Sequence, residues 1–477
     1  MGFQAEFASY EPLRRLRDSE AVKNLETRFK VRSMASEQQA ISDRILTVDD
    51  LEATESLDMH YVVAIDGSNL AANSDKSYPG AELCYLTVAS VLLDMKKIQK
   101  IAQSDFIDPV ELRKTEDNTS FESAFPGCNI ILDEEDDAKS SLRRVLFEEL
   151  GRQKIFSNGE TLLETYEYLF QSRLNTSNTR PKSPIENFEN EDMTYGLGEY
   201  ICPHSGKVLF STDAMRIHEL MNPVGSSGEM YNQIMSVVEK LCLINILRCF
   251  EKEGWLADLK NMAFIVDGPL AIFSVSAWLS SAISKELERI NNLQKQITKQ
   301  DMILIGIEKT GLFCNHFEHI DIENYVVANN FTNQVSSLEI DDSTSDINVG
   351  TQGRVPPQSI ILIDDKYIKE NIKPSKSTKP YGEDTYFGRK FFYKTRTGHR
   401  LVPVVCCFND SQRDLSTCNP NQFPRLKDIA ILLDELSSNR YPNSISPLIS
   451  AHAEAAIPLN LGKRIFEDMA RKLSREH

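Results

Sequence analysis

The sequence lacks long apolar runs, paired cysteines and glycine-rich phosphate loops. No stretch reaches the roughly 18 consecutive apolar residues of a transmembrane helix, so no membrane segment is predicted. The nine cysteines are scattered, several of them within apolar runs, which indicates neither a disulfide framework nor a zinc ribbon and favours a reducing compartment. Neither Gly-x-x-x-x-Gly-Lys-Ser/Thr nor Gly-x-Gly-x-x-Gly occurs, so we expect the chain itself neither to hydrolyse ATP nor to bind a dinucleotide.

An apolar secretory signal is also missing from the start of the chain. The sequence begins Met1-Gly-Phe-Gln-Ala-Glu6 and runs directly into charged residues, whereas a signal peptide needs an apolar core. Together with the lack of a membrane segment, this predicts a cytoplasmic protein.

Positive charge is scarce, because 53 Lys and Arg residues face 70 Asp and Glu residues, for a net charge of −17. Such a balance disfavours nucleic-acid binding, which needs a basic surface. The exception is segment 388–400, which combines five basic residues with three adjacent aromatics and no acid. We predict that this segment is a hairpin that follows a DNA backbone and stacks one aromatic on a base; core packing is the alternative for at least two aromatics. The basic residues are Arg389, Lys390, Lys394, Arg396 and Arg400, and the aromatics are Phe391, Phe392 and Tyr393.

Two short apolar runs end in Asp-Gly. They are Tyr61-Val-Val-Ala-Ile-Asp66-Gly67 and Ala263-Phe-Ile-Val-Asp267-Gly268. Each predicts a buried strand with a carboxylate at its C-terminal end. One such step is common in any α/β protein, but two carboxylates on neighbouring strands repel each other unless a cation lies between them. The pair therefore indicates a metal-dependent hydrolase.

A third carboxylate, Glu239, lies on a predicted helix at residues 230–254. Its neighbours one turn away, Met235 and Cys242, are apolar, so its side chain points towards the core, where a carboxylate needs a partner or a metal. A salt-bridged glutamate is the alternative, and Glu251, near the polar end of the helix, is the rival ligand.

Three further positions could carry chemistry. His452 lies among small and apolar residues at a predicted helix start and could be a ligand, a general base or a hydrogen-bonded core residue. Lys309 follows an apolar strand and could hold a phosphate or remain a solvated loop lysine. The pair Asp364-Asp365 ends another strand, where we favour a helix cap over a metal ligand.

The alternation of strands and helices predicts a mixed α/β sheet flanked by helices. We assign residues 1–57 to an N-terminal helical extension and residues 58–477 to one domain. Within that domain, residues 101–230 form a predicted insertion, and residues 333–358 form a predicted flexible loop.

These landmarks, in this order, resemble the NurA nuclease family. The matching pieces are Ala64-Ile-Asp66-Gly-Ser68, an acidic helix followed by Val266-Asp267-Gly-Pro-Leu270, the strand that ends at Lys309, and Ala451-His452. The resemblance runs from about residue 60 to the C-terminus, and the large insertion departs from the family pattern.

The resemblance implies an RNase H-like fold and Mn²⁺-dependent DNA cleavage, with Mg²⁺ as the other candidate ion. It implies a homodimer that works with the hexameric DNA translocase HerA in end resection; a role in anti-phage defence is the alternative to one in repair. It also implies that Asp66, Glu239 and Asp267 are metal ligands and that His452 completes the site. Two other functions remain open: a catalytically weak adaptor of a DNA-pumping ATPase, and an RNase H-like enzyme that acts on RNA.

Overall fold

The computed structural model describes residues 15, 17–28, 44–51, 58–73, 81–97, 116–176, 196–202, 206–321, 355–437, 445–456 and 465–469. The chain divides into two compact units, Met1–Asp43 and Arg44–His477. The first unit contains helix α1 (Glu20–Arg28), within the predicted helical extension. Within these described ranges, no helix is long and apolar enough to cross a membrane.

A nine-stranded mixed sheet forms the centre of the second unit. Its strands are β1 (Ile45–Thr47), β2 (Tyr61–Asn73), β3 (Glu82–Asp94), β4 (Glu116–Pro126), β7 (Met262–Asp267), β8 (Ile303–Glu308), β9 (Ser359–Leu362), β10 (Gly388–Lys394) and β11 (Arg400–Cys406), and a separate hairpin is formed by β5 (Glu199–Ile201) and β6 (Val208–Phe210). The spatial order in the sheet is β1-β9-β10-β11-β8-β7-β2-β3-β4. Strands β2, β7 and β8 run parallel to one another, whereas the other neighbouring pairs are antiparallel.

Helices cover both faces of this sheet. They are α2 (Ala138–Arg152), α3 (Leu162–Thr176), α4 (Gly228–Lys252), α5 (Trp278–Thr298), α6 (Leu426–Leu436) and α7 (Ser446–Ala455). Helices α2 to α5 contribute to one buried apolar cluster, and α6 and α7 contribute to the other. Strand β2 feeds both clusters, because Val63 and Ile65 face the first and Val62 and Ala64 face the second, as the two-residue period of a strand requires. The predicted mixed α/β sheet flanked by helices is confirmed; its assignment to the RNase H-like type stays a prediction.

Several segments are arranged differently from the sequence-based expectation. Strand β1 lies inside the predicted extension but pairs with β9, and β4 lies inside the predicted insertion but forms an edge of the main sheet beside β3. Helix α7 begins at Ser446, where Pro447 suits the first turn, so His452 lies in the last turn of this helix rather than at its start. Most of the predicted loop at 333–358 lies outside the described residues.

Candidate active site

Asp66 and Asp267 lie beside each other on the parallel strands β2 and β7. The pairing of these strands runs up to Ile65 and Val266, the residues just before the two aspartates. Strand β7 ends at Asp267, as predicted. The Asp-Gly step at Asp66 also predicted a strand end, but this prediction is wrong, because β2 continues to Asn73 and stays paired with β3. Asp66 therefore lies where its parallel neighbour stops, close enough to Asp267 for the charge of that carboxylate to raise the pKa of Asp66.

Glu239 reaches the same place from α4, which packs on β2. A glycine makes this approach possible, because a Cβ atom on Gly67 would lie 2.7 Å from Oε1 of Glu239 and 2.6 Å from Cγ of Met235. Real Cβ contacts are not that short, so a side chain at position 67 would displace the carboxylate. The rival Glu251 lies elsewhere, where it accepts a hydrogen bond of 2.8 Å from Arg289. The structure thus brings Glu239, and not Glu251, to the aspartates.

Each of these carboxylates contacts a basic side chain. Nδ1 of His452 lies 3.0 Å from Oδ2 of Asp66. Nζ of Lys309 lies 3.0 Å from Oδ1 of Asp267. Nζ of Lys240 lies 2.7 Å from Oε2 of Glu239. The first two basic residues were predicted from the sequence, and the third was missed.

Lys240 was missed because a helical lysine is ordinarily taken to be solvated. Glu239 was selected because its neighbours one helical turn away are apolar. The same pattern holds for Lys240, since Val237 and Ile244, one turn away on either side, are apolar. The structure buries both side chains, with that of Glu239 at 7% and that of Lys240 at 3% exposure.

Burial and the closeness of the carboxylates raise the pKa values of Asp66 and Glu239. Burial, followed by the charges of Asp267 and Glu239, raises the pKa of Asp66 to about 8, although Lys309 opposes the shift. Burial also raises the pKa of Glu239, against the effect of Lys240. Closely spaced carboxylates in a dry site favour a bound proton or a cation.

The donor chemistry of this site suits a hard divalent cation, since Mg²⁺ and Mn²⁺ prefer carboxylate oxygens. Among the described residues, however, no three Asp, Glu, His or Cys side chains are arranged to hold one ion directly. In this structure the carboxylates contact His452, Lys309 and Lys240. A metal would require side-chain rotation at the contacts of His452 and Lys309, whose side chains are 61% and 29% exposed.

The basic hairpin does not present the DNA-binding surface predicted for it. Lys394 is fully buried and donates to both carboxylate oxygens of Asp321 at 3.0 Å. Lys390 is buried against Glu308 at 2.6 Å. The buried Arg389 donates to the backbone carbonyls of Gln412, Asp414 and Thr417, and Arg400 contacts Asp321 and Glu318. Arg396 is exposed. Arg389, Lys390 and Lys394 are buried, so their predicted role in a DNA-binding surface is wrong, and they stabilise the fold instead.

The structure also defines the roles of the hairpin aromatics and of Asp364. The aromatics Phe391, Phe392 and Tyr393 are each fully buried, so all three pack in the core. Asp364 caps the short helical turn that follows it, because its side chain accepts a hydrogen bond from the backbone N–H of Tyr367 at 2.8 Å.

Comparison with known proteins gives one family match. The NurA domain family model matches residues 60–457. Two solved structures are similar over nearly the whole chain: the NurA nuclease from Sulfolobus solfataricus, at 13% identity and a TM-score of 0.32 over 98% of this chain and 97% of that one, and another NurA structure, at 10% identity and a TM-score of 0.27 over 97% and 95%. No curated protein matches the chain.

Proposed function

Because the chain belongs to the NurA family, we propose that it is a metal-dependent nuclease that hydrolyses phosphodiester bonds in DNA. The observation that supports this most directly is the convergence of Asp66, Asp267 and Glu239 from β2, β7 and α4. A buried group of mutually repelling carboxylates is costly to a fold. A protein that only packed or docked would gain nothing from it.

We assign the metal, Mn²⁺ or Mg²⁺, to the carboxylates of Asp66, Glu239 and Asp267. When bound, such an ion polarises the phosphate, favours ionisation of the attacking water and stabilises the leaving oxygen. Asp66 and Glu239 are buried, whereas the Asp267 side chain is 26% exposed. Substrate therefore approaches from the side of Asp267.

His452 has the geometry of a proton acceptor. With a hydrogen on Nδ1 directed at Asp66, Nε2 carries the lone pair, and the side chain is 61% exposed. An imidazole held in this way accepts a proton from an incoming water, and the carboxylate keeps the ring oriented. Removal of that proton is the part of the reaction that we assign to His452.

Lys309 supplies a cation for the substrate. Its ammonium group lies on Asp267, and its side chain is 29% exposed. A phosphate that enters beside Asp267 offers this ammonium a second anionic partner. We therefore assign Lys309 to positioning of the scissile phosphate.

The proposed partners come from the family rather than from the geometry. We propose that the protein works as a homodimer with a HerA-type hexameric translocase, in DNA end processing or anti-phage defence. The net charge of the chain is −17, and the hairpin lysines Lys390 and Lys394 pair with acids of the same chain. Tight binding of DNA by this protein alone is therefore unfavourable. A translocase that delivers the strand would remove that difficulty.

A cleavage assay tests the function. The purified protein is incubated with single-stranded DNA, duplex DNA or RNA in Mn²⁺, Mg²⁺ or EDTA, with and without the translocase. We expect Mn²⁺-dependent cleavage of DNA and none in EDTA, and we expect Asp267→Asn to be inactive. Cleavage of RNA alone would indicate the RNA-directed enzyme. No cleavage under any condition, with intact translocase binding, would indicate an adaptor.

A further inference from the structure

Lys240 is the least exposed of the three basic side chains that contact the carboxylates. The side chains of His452 and Lys309 are 61% and 29% exposed, whereas that of Lys240 is 3% exposed. An exposed histidine or lysine can swing into water when a metal displaces it. A buried ammonium has no such route, because leaving its carboxylate would place an unpaired charge in the protein interior.

The two oxygens of Glu239 are held differently. Oε2 bonds to Nζ of Lys240 at 2.7 Å, whereas Oε1 lies against Gly67, the residue that follows Asp66. The carboxylate thus has one oxygen on the lysine and the other beside the strand of Asp66. Glu239 can therefore keep its lysine while Oε1 stays beside Gly67, next to Asp66.

We propose that Lys240 is a fixed counter-charge of the site, which stabilises the metal-free protein and limits how tightly the site binds a divalent cation. This inference rests on the proposed metal-dependent function. Three ionised carboxylates carry three negative charges, and His452 and Lys309 can withdraw from them. Lys240 stays, so a bound ion interacts with three negative charges and one nearby positive charge instead of three negative charges alone.

The size of the effect follows from distance and dielectric. Two charges a few ångströms apart in a protein interact appreciably even at an effective dielectric constant of about 20. A nearby ammonium therefore weakens the binding of a divalent ion measurably. The same ammonium offsets the desolvation of Glu239 when no ion is present.

The test compares Mn²⁺ binding by the parent protein with binding by Lys240→Gln, Lys240→Met and Lys240→Arg. Free Mn²⁺ is measured by electron paramagnetic resonance, and Tm is measured in EDTA and in Mn²⁺. Gln keeps a hydrogen-bond donor to Glu239 without charge, Met keeps only the length, and Arg keeps the charge. Lys252→Gln, at an exposed position of α4, is the matched control.

We expect both neutral variants to bind Mn²⁺ about tenfold more tightly or better and to have a lower Tm in EDTA, with Met the less stable. Arg and the Lys252 control should bind like the parent. Unchanged or weaker binding by Lys240→Gln would overturn the proposal, and this variant remains informative if Met fails to fold. A parent protein that binds no Mn²⁺ would instead overturn the metal site itself.

Discussion

Asp66 and Asp267 lie side by side at the point where β7 stops and β2 continues. The end of β7 removes one hydrogen-bonding neighbour of β2 beside Asp66. Because β2 goes on to Asn73 with β3 as its partner, the aspartate is held in a regular strand and not in a loop. The site therefore has a rigid support for the groups that would bind a ligand.

Replacement of Asp66 by Asn should remove activity without unfolding the protein. Asn is nearly isosteric with Asp, but it carries no charge and is a poor ligand for a hard cation. We expect DNA cleavage to fall by more than about 100-fold, the upper loss typical of residues that only support a ligand. The measurements are cleavage in Mn²⁺ and Tm in EDTA.

The thermal measurement separates a functional carboxylate from a structural one. Asn removes one of three crowded carboxylates, so Tm in EDTA should stay at the parental value or rise. A fall in Tm together with full cleavage activity would show that Asp66 serves only the fold.

Gly67→Ala tests whether α4 needs the bare backbone of β2 to bring Glu239 into the site. The added Cβ would meet Oε1 of Glu239 and Cγ of Met235 well inside contact distance. We expect a loss of about 1–3 kcal/mol in unfolding free energy, typical of overpacking, and a large loss of cleavage. Gly228→Ala is the control on α4, since a Cβ there would lie 3.8 Å from its nearest neighbour, Oγ of Ser226. Parental activity in Gly67→Ala would show that Glu239 is dispensable.

His452→Ala should slow cleavage while leaving DNA binding intact. General acid–base groups contribute roughly 10²–10⁴-fold to rate, and the imidazole contacts Asp66 by one hydrogen bond at the surface. We expect kcat to fall within that range, whereas the Kd for DNA in Ca²⁺ should change by less than about twofold. The control is Glu454→Ala, at an exposed position on the same helix. Parental turnover in His452→Ala would make the contact structural.

The sequence predicted most of the site because its residues follow short, strongly apolar strands. Asp66, Asp267 and Lys309 each come from such a run, and the order of the landmarks matched a family. Lys240 was not found, because its burial depends on the packing of α4 against β2, which one helical sequence does not show directly.

The hairpin failed as a DNA surface for a related reason. Lys394 and its partner Asp321 are 73 residues apart, and Asp321 contributes nothing to the local charge of the segment. A cluster of basic residues in sequence is a basic surface only if no distant acid neutralises it in the fold. The tertiary pairing, rather than composition, decides whether such a cluster faces solvent.

His316 should make the stability of the protein depend on pH. Its imidazole is buried and Nε2 lies 2.7 Å from the Tyr367 hydroxyl; burial, with a smaller contribution from His319, lowers its pKa from 6.5 to about 4. Between these values the unfolded chain binds a proton that the native protein does not. Unfolding free energy should therefore fall as pH drops from about 6.5 to 4, by at most about 1.4 kcal/mol per pH unit from this residue.

The variant His316→Asn isolates this contribution. Asn cannot take up the proton, but its amide oxygen can accept the Tyr367 hydrogen bond. Urea unfolding at several pH values should give a shallower pH dependence for the variant than for the parent between about pH 4 and 6.5. The two profiles should run parallel above that range, where the imidazole is neutral in both states. Equal slopes within it would mean that the native protein admits the charged imidazole at no cost, contrary to its burial against Tyr367 and Phe392.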